Sequence, residues 1–74
     1  MQKADNVQDV FLNKLRQEKI QATIFLTNGV QIRGAVRSFD NFVIELDSDG
    51  RQQVLYKHAV STIVPAKNVK IYTE

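Results

Sequence analysis

Ile20-Gln21-Ala22-Thr23-Ile24-Phe25-Leu26-Thr27-Asn28-Gly29-Val30-Gln31-Ile32-Arg33 is the stretch on which the fold turns. Apolar side chains recur at every second position, so Ile20, Ala22, Ile24 and Leu26 share one face while Gln21, Thr23, Phe25 and Thr27 share the other. This is the period of a β-strand with one buried side. Asn28-Gly29 separates it from a second alternating run, and the dipeptide suits a type I′ hairpin turn because both residues tolerate positive φ. The second strand runs from Val30 to about Ser38, with Val30, Ile32 and Val36 on its apolar face. Gly34 interrupts that face, where a bend or a close backbone approach is expected.

On the N-terminal side the period lengthens. Val7, Val10, Phe11 and Leu15 recur at steps of three and four, marking the apolar stripe of a helix over about residues 6–18, widened by Leu12. Asp5 is its expected N-cap, with Gln8 completing an Asp-x-x-Gln capping box. On the C-terminal side, Asp40-Asn41 is a turn, and Phe42, Ile44 and Leu46 form the apolar face of a third strand closed by Ser48-Asp49-Gly50. Gln52 to Tyr56 reads as a fourth strand, Lys57-His58 as a tight connection, and Val60 to Val64 as a fifth strand ended by Pro65. Residues 66–74 alternate weakly and read as either an extension or a frayed tail. One helix followed by five short strands implies a mainly β fold. Its small, strongly bent antiparallel sheet closes into a barrel of the Sm-like or SH3-like build, with the helix over one open end.

The 74 residues allow a single domain, and a chain of this size buries only about 60% of its unfolded surface. With no cysteine and one histidine, disulfides and a zinc site are not available as staples, which leaves self-association. A partly open barrel keeps edge strands. Pairing of two different edges between copies is heterologous and closes into a ring if the rotation permits. The composition, 43% hydrophobic and 24% charged, is that of a folded domain. No apolar run is long enough to span a bilayer and Met1-Gln2-Lys3-Ala4-Asp5 lacks a signal-peptide core, so a cytoplasmic protein without membrane contact is expected. The net charge of +2 is mild. Its distribution is uneven: residues 38–50 carry Asp40, Glu45, Asp47 and Asp49 without a base, and residues 51–73 carry Arg51, Lys57, Lys67 and Lys70 without an acid. If the fold separates these segments, one surface is basic and another acidic.

Enzymatic chemistry finds little support. His58 is the single imidazole, the carboxylates show no coupled acid–base spacing, and three glycines make no phosphate loop. Aromatic, amide and basic side chains are the informative ones. Phe25 lies among Gln21, Thr23 and Thr27, where a ring either stacks a base or is covered by a neighbouring copy. Phe42 after Asn41 is either a base-stacking ring at a turn or the first core residue of a strand. Tyr56-Lys57-His58 brings a cation and an imidazole to a connection, suited to phosphate, base-edge or 2′-hydroxyl contacts, or else to a structural role. Arg16 and Lys19 near the helix C-terminus complement the macrodipole with or without a ligand.

Gln8-Asp9 and Phe11-Leu12-Asn13 in the helix, Leu26 with Asn28-Gly29, Gly34, Ser38-Phe39-Asp40-Asn41-Phe42 and Tyr56-Lys57-His58-Ala59 with Ser61-Thr62 and Pro65 together resemble the Hfq family of bacterial Sm-like RNA chaperones. The likeness covers nearly the whole chain, which would then be one Sm-like domain over residues 1–74, with a barrel over about 20–65 and a short tail over 66–74. It implies a homohexameric ring closed by the fourth and fifth strands, binding single-stranded RNA without a cofactor or metal.

On the helix-bearing, proximal face, uridine-rich ends of small RNAs would meet Gln8, Asn41, Phe42, Lys57 and His58. Phe42 would stack the base, Asn41, Gln8 and Lys57 would contact its polar edge, and His58 would face the pore. On the distal face, adenine-rich RNA would meet Phe25, Gly29, Val30, Gln31, Ile32, Arg33, Gln53 and Thr62. Phe25 keeps the stacking of the tyrosine common there and loses its hydroxyl, and Arg33 stands where some members carry glutamine. Asn13, Arg16 and Lys19 would form the rim. There Arg16-Gln17-Glu18-Lys19 replaces an arginine-rich patch and predicts weaker electrostatic help in annealing two RNAs. The long disordered tail of some members is not expected after residue 74.

Two other readings compete with a ring that pairs small RNAs with messages. An SH3-type barrel would bind proline-rich peptide, but such grooves usually include tryptophan, which this chain lacks. A purely structural ring would turn its aromatics to subunit contacts.

Overall fold

A computed structural model of the chain describes residues 7–71. It holds α1 (Val7–Glu18), β1 (Gln21–Leu26), β2 (Gln31–Phe39), β3 (Val43–Ser48), β4 (Arg51–Tyr56), one 3-10 turn at Lys57–Ala59 and β5 (Val60–Pro65). The strands pair antiparallel in one five-stranded sheet of order β4-β3-β2-β1-β5. This is the helix-then-strands architecture that the change of period implies. The expected Asp5 cap lies outside the described residues.

α1 ends in a Schellman motif. The Ile20 N–H donates to the Leu15 carbonyl at 3.1 Å and the Lys19 N–H to the Arg16 carbonyl at 3.4 Å, with Lys19 in the left-handed region at φ 55. The motif reverses the chain so that Leu15 and Ile20, both buried, enter the same core. The helix stripe is centred on Leu12 and Leu15, which are fully buried, whereas Val7 is 63% exposed. Only the later part of α1 lies over the core, so the first turn has nothing apolar to cover.

β2 joins two half-sheets. Its residues 31–35 pair with β1 and its residues 35–39 with β3. At the junction stands Gly34, where an added Cβ would lie 2.7 Å from the backbone oxygen of Asp47. The interruption at Gly34 is thus a close backbone approach. Past it, the β2–β3 register slips between Val36 and Ser38, leaving Arg37 as the extra residue of a bulge. Ile20, Ala22, Ile24, Val36, Ile44, Leu46 and Leu55 complete the buried core with the helix leucines. The core face expected for β2 and β3 is shorter than its alternation suggests. Val30 (47% exposed) and Phe42 (73% exposed) both fall one residue outside their strands, where the pleat no longer orients them inward.

The first hairpin also differs from expectation. Gly29 has φ +90, but Asn28 is not in the positive-φ region, so the turn is not type I′. Gly29 N–H donates to the Leu26 carbonyl at 2.9 Å and Leu26 N–H to the Val30 carbonyl at 2.8 Å, the pattern of a three-residue loop ending in a left-handed glycine. The Asn28 side chain accepts the Val30 N–H at 3.0 Å, which holds the longer loop. Paired positive φ occurs instead at Asp49 (58) and Gly50 (84), between β3 and β4. That hairpin places the acidic segment directly beside Arg51, so the fold does not separate acidic from basic segments as their order along the chain suggested.

Glu45 ties three strands together. Its Oε1 accepts the Ser38 hydroxyl of β2 at 2.7 Å, and its Oε2 accepts the Gln52 amide of β4 at 2.8 Å. Ser38 first, then Gln52, holds the Glu45 carboxyl below its ordinary value, with Arg37 adding a smaller electrostatic pull in the same direction.

This packing sets two measurable outcomes. Gly34→Ala forces the Asp47 backbone to move and destabilises the fold by about 1–3 kcal/mol, read from denaturant midpoints. The lowered Glu45 carboxyl contributes stability that is present above its unfolded value and lost as pH falls through its folded one. Wild type therefore exceeds Glu45→Gln in stability at neutral pH, and urea midpoints of the two converge as the solution is acidified.

Candidate functional site

Three elements meet beside the start of α1. Asp40 shapes the β2–β3 turn: its Oδ1 accepts the N–H groups of Phe42 at 2.7 Å and Val43 at 2.8 Å, and its own N–H donates to the Val43 carbonyl at 3.0 Å. These backbone donors, Phe42 first, hold the Asp40 carboxyl below its ordinary value. A turn locked in this way presents Asn41 and Phe42 outward, both exposed. The open choice for Phe42 between core and surface thus falls to the surface, and a ring this exposed offers a face for stacking.

The Lys57 N–H donates to the Phe42 carbonyl at 2.7 Å and so fastens the β4–β5 connection to this turn. Its side chain is only 11% exposed. Lys57 Nζ lies 3.2 Å from Asp9 Oδ1 of α1 and 5.3 Å from the centroid of the Phe39 ring. The lysine expected to touch a ligand is therefore also a brace between helix and turn. His58 is exposed and its ring stacks on Tyr56, with centroids 5.8 Å apart and planes at 25°. Gln8 is exposed in the first turn of α1, one residue before Asp9. All five residues expected on this face thus belong to these three meeting elements. Sequence reasoning places a turn at Asp40-Asn41 but misses what holds these elements: the Asp40 carboxylate as turn anchor, Phe39 under the lysine, and Tyr56 under His58. An Asp two residues before the exposed ring is the available sign, since such carboxylates close Asx turns.

On the opposite side, pairing builds a second set. Phe25 stands opposite Gln31 on β2 and Thr62 on β5, and Thr23 opposite Arg33 and Val64. Cross-strand partners share a face, so Phe25, Gln31, Arg33 and Thr62 lie on one side of the sheet. Ile32 belongs to the other: it pairs with Ile24 and packs against the core. Gly29 and Val30 flank this set at the hairpin. Gln53 does not join it within one chain, because β4 is separated from β1 by β3 and β2. At the end of α1 the Arg16 guanidinium donates to Asn13 Oδ1 at 2.6 Å, and Lys19 occupies the exposed helix terminus. The three residues expected at the rim therefore lie within one stretch of α1 and its cap.

Comparisons with known proteins bear on the chain as a whole. The family model described as Hfq protein matches residues 7–70. A protein of Anoxybacillus flavithermus called RNA-binding protein Hfq is 57% identical over 74 residues, all of both chains. One of the same name from Clostridium perfringens is 58% identical over 65 residues, 88% of this chain and 81% of that protein. Among solved structures, a 1.55 Å crystal structure of the pleiotropic translational regulator Hfq superposes with a TM-score of 0.77 at 37% identity, covering 80% of this chain and 98% of that one. With its helix, its five-stranded sheet and nearly its whole length matched, this chain belongs to the Hfq family.

Proposed function

We propose that the chain is an RNA-binding chaperone. As a homohexameric ring in the cytoplasm, it binds uridine-rich segments of small RNAs on the α1-bearing face and adenine-rich RNA on the other, promoting small RNA–mRNA pairing and post-transcriptional regulation. The observation that carries the proposal is Phe42: a large aromatic ring 73% exposed on a turn held by hydrogen bonds from both sides. Solvent exposure of such a ring is costly unless something stacks on it, and single-stranded RNA is recognised by stacking together with contacts to base edges. Asn41, Gln8, Lys57 and His58 supply the polar groups around it. The whole chain acts as one Sm-like unit whose role is binding, not catalysis.

The sheet order supports the ring. Among the described residues β4 and β5 are the two free edges, and each carries exposed apolar side chains, Val54 and Tyr56 on one and Val64 on the other. Joining β4 of one copy to β5 of the next covers both edges and brings Gln53 of that copy towards Thr62 and Phe25 of its neighbour, completing the adenine-binding set. A ring also multiplies a mild charge per chain into a field strong enough to attract RNA.

Binding of short oligouridine and oligoadenine by fluorescence anisotropy tests the assignment. Phe42→Ala weakens oligouridine binding by about 1–3 kcal/mol per stacked base and leaves oligoadenine unchanged, whereas Phe25→Ala does the reverse. Native mass spectrometry of both variants retains a six-chain mass. Lys57→Ala weakens oligouridine binding and also lowers the melting temperature, because it removes the brace to Asp9 and Phe39. Unchanged oligouridine affinity in Phe42→Ala sinks the site, and a monomer in wild type sinks the ring.

A further inference from the structure

We infer that Arg37, from the bulge of β2, joins Arg16 and Lys19 of the expected rim as a third cation for the phosphate backbone of single-stranded RNA in the groove between the end of α1 and that bulge, with Asp47 as a competitor built into the chain. The inference rests on the reading of the protein as an RNA binder and adds to the helix cations a residue from another element. The groove has a volume of about 450 Å³, and Arg16, Lys19, Gln21, Arg37 and Asp47 are among the residues that line it. Reading residues 16–19 alone finds two bases diluted by Gln17 and Glu18; the fold adds Arg37 to them, and Glu18 does not line the groove.

Arg37 reaches this position because it is the bulged residue of β2, and bulges re-aim side chains. It stands on a ridge. On one side is the groove with Arg16 and Lys19, and on the other a smaller depression lined by Glu45, Asp47 and Gln52. In the free chain Arg37 Nη1 lies 3.6 Å from Asp47 Oδ2, and both side chains are well exposed. A pair so long and so wet is weak. Glu45 adds only a smaller electrostatic pull on Arg37 while its oxygens accept Ser38 and Gln52. Asp47 is held in place by accepting the Gly50 N–H at 2.9 Å on its other oxygen, so the arginine is the partner that moves. A phosphate entering the groove finds Arg16 steadied by Asn13, Lys19 at the helix cap, and an arginine that exchanges one weak carboxylate pairing for a charge-assisted bond to phosphate.

The test compares a short oligouridine with the same oligouridine extended upstream by an unstructured segment, binding to the full chain at several salt concentrations. Arg37→Ala weakens binding of the extended RNA, lowers the slope of log K against log salt by roughly 0.7 for each phosphate that is no longer neutralised, and leaves the short oligouridine unchanged. Asp47→Asn, which keeps an oxygen for the Gly50 N–H, tightens the extended RNA about two- to fivefold, the factor that corresponds to an exposed ion pair. That gain disappears when Asp47→Asn is made in the Arg37→Ala chain. An equal gain in both backgrounds overturns the inference, because it shows only the removal of a negative charge from the surface. No gain in either background overturns it as well. Wild type that binds the oligouridine while Arg37→Ala changes nothing rejects the groove alone, and wild type that binds neither RNA rejects the groove and the RNA-binding reading together.

Discussion

The approach of the Asp47 carbonyl to Gly34 is the constraint around which this small barrel is arranged. β2 must pair with β1 through its first residues and with β3 through its last, and the crossover between those duties leaves no volume for a side chain. The residues that follow inherit the geometry. Arg37 is bulged out between Val36 and Ser38, and the Ser48 hydroxyl closes the junction by donating to the Arg33 carbonyl at 2.6 Å. With both half-sheets hung from one strand, the helix leucines, Ile24, Ile44 and Leu46 meet in a single dry core.

Stability and site share their parts in this protein. The turn that carries Asn41 and Phe42 is held by a carboxylate, and the next connection is held to that turn by a backbone hydrogen bond. Lys57 then reaches across to Asp9 and the Phe39 ring, so the helix, which packs on the core through Leu12 and Leu15, also braces the exposed ring. A stacking ring on an unbraced loop would lose binding energy to ordering; here the ordering is completed when the chain folds. The two edges left free among the described residues are the remaining liability, and their exposed Val54, Tyr56 and Val64 are explained by the ring proposed for this member of the Hfq family.

Much of this was legible in the sequence because it is local. The change of period at Ile20 set helix before strands, the alternation through Ala22 and Ile24 identified their buried side, and the place of Gly34 on an apolar face pointed to a bend or a close approach, of which the structure holds the close approach. The motifs around Phe42 and Tyr56-Lys57-His58 named the family that the comparisons bear out. Ends of elements were less legible: Val7, Val30 and Phe42 fit the periods of their segments yet lie outside the packed stretch, since periodicity does not report where the neighbouring element stops. Asn28-Gly29 tolerates several turn geometries, and the side-chain bond to Val30 selected a longer loop.

By itself, then, the sequence determined the order and type of the elements, the core face of β1 and the kinship of the chain, because each depends on residues within one or two turns or one strand of each other. Only the tertiary structure decided that Phe42 faces solvent, that Lys57 is a brace as well as a cation, and that Arg37 joins Arg16 and Lys19 in one groove. Each of these depends on residues far apart in the chain, brought together by strand register and by a one-residue bulge. A shift of a single residue in a strand exchanges its two faces, so such contacts exist only once the register is fixed.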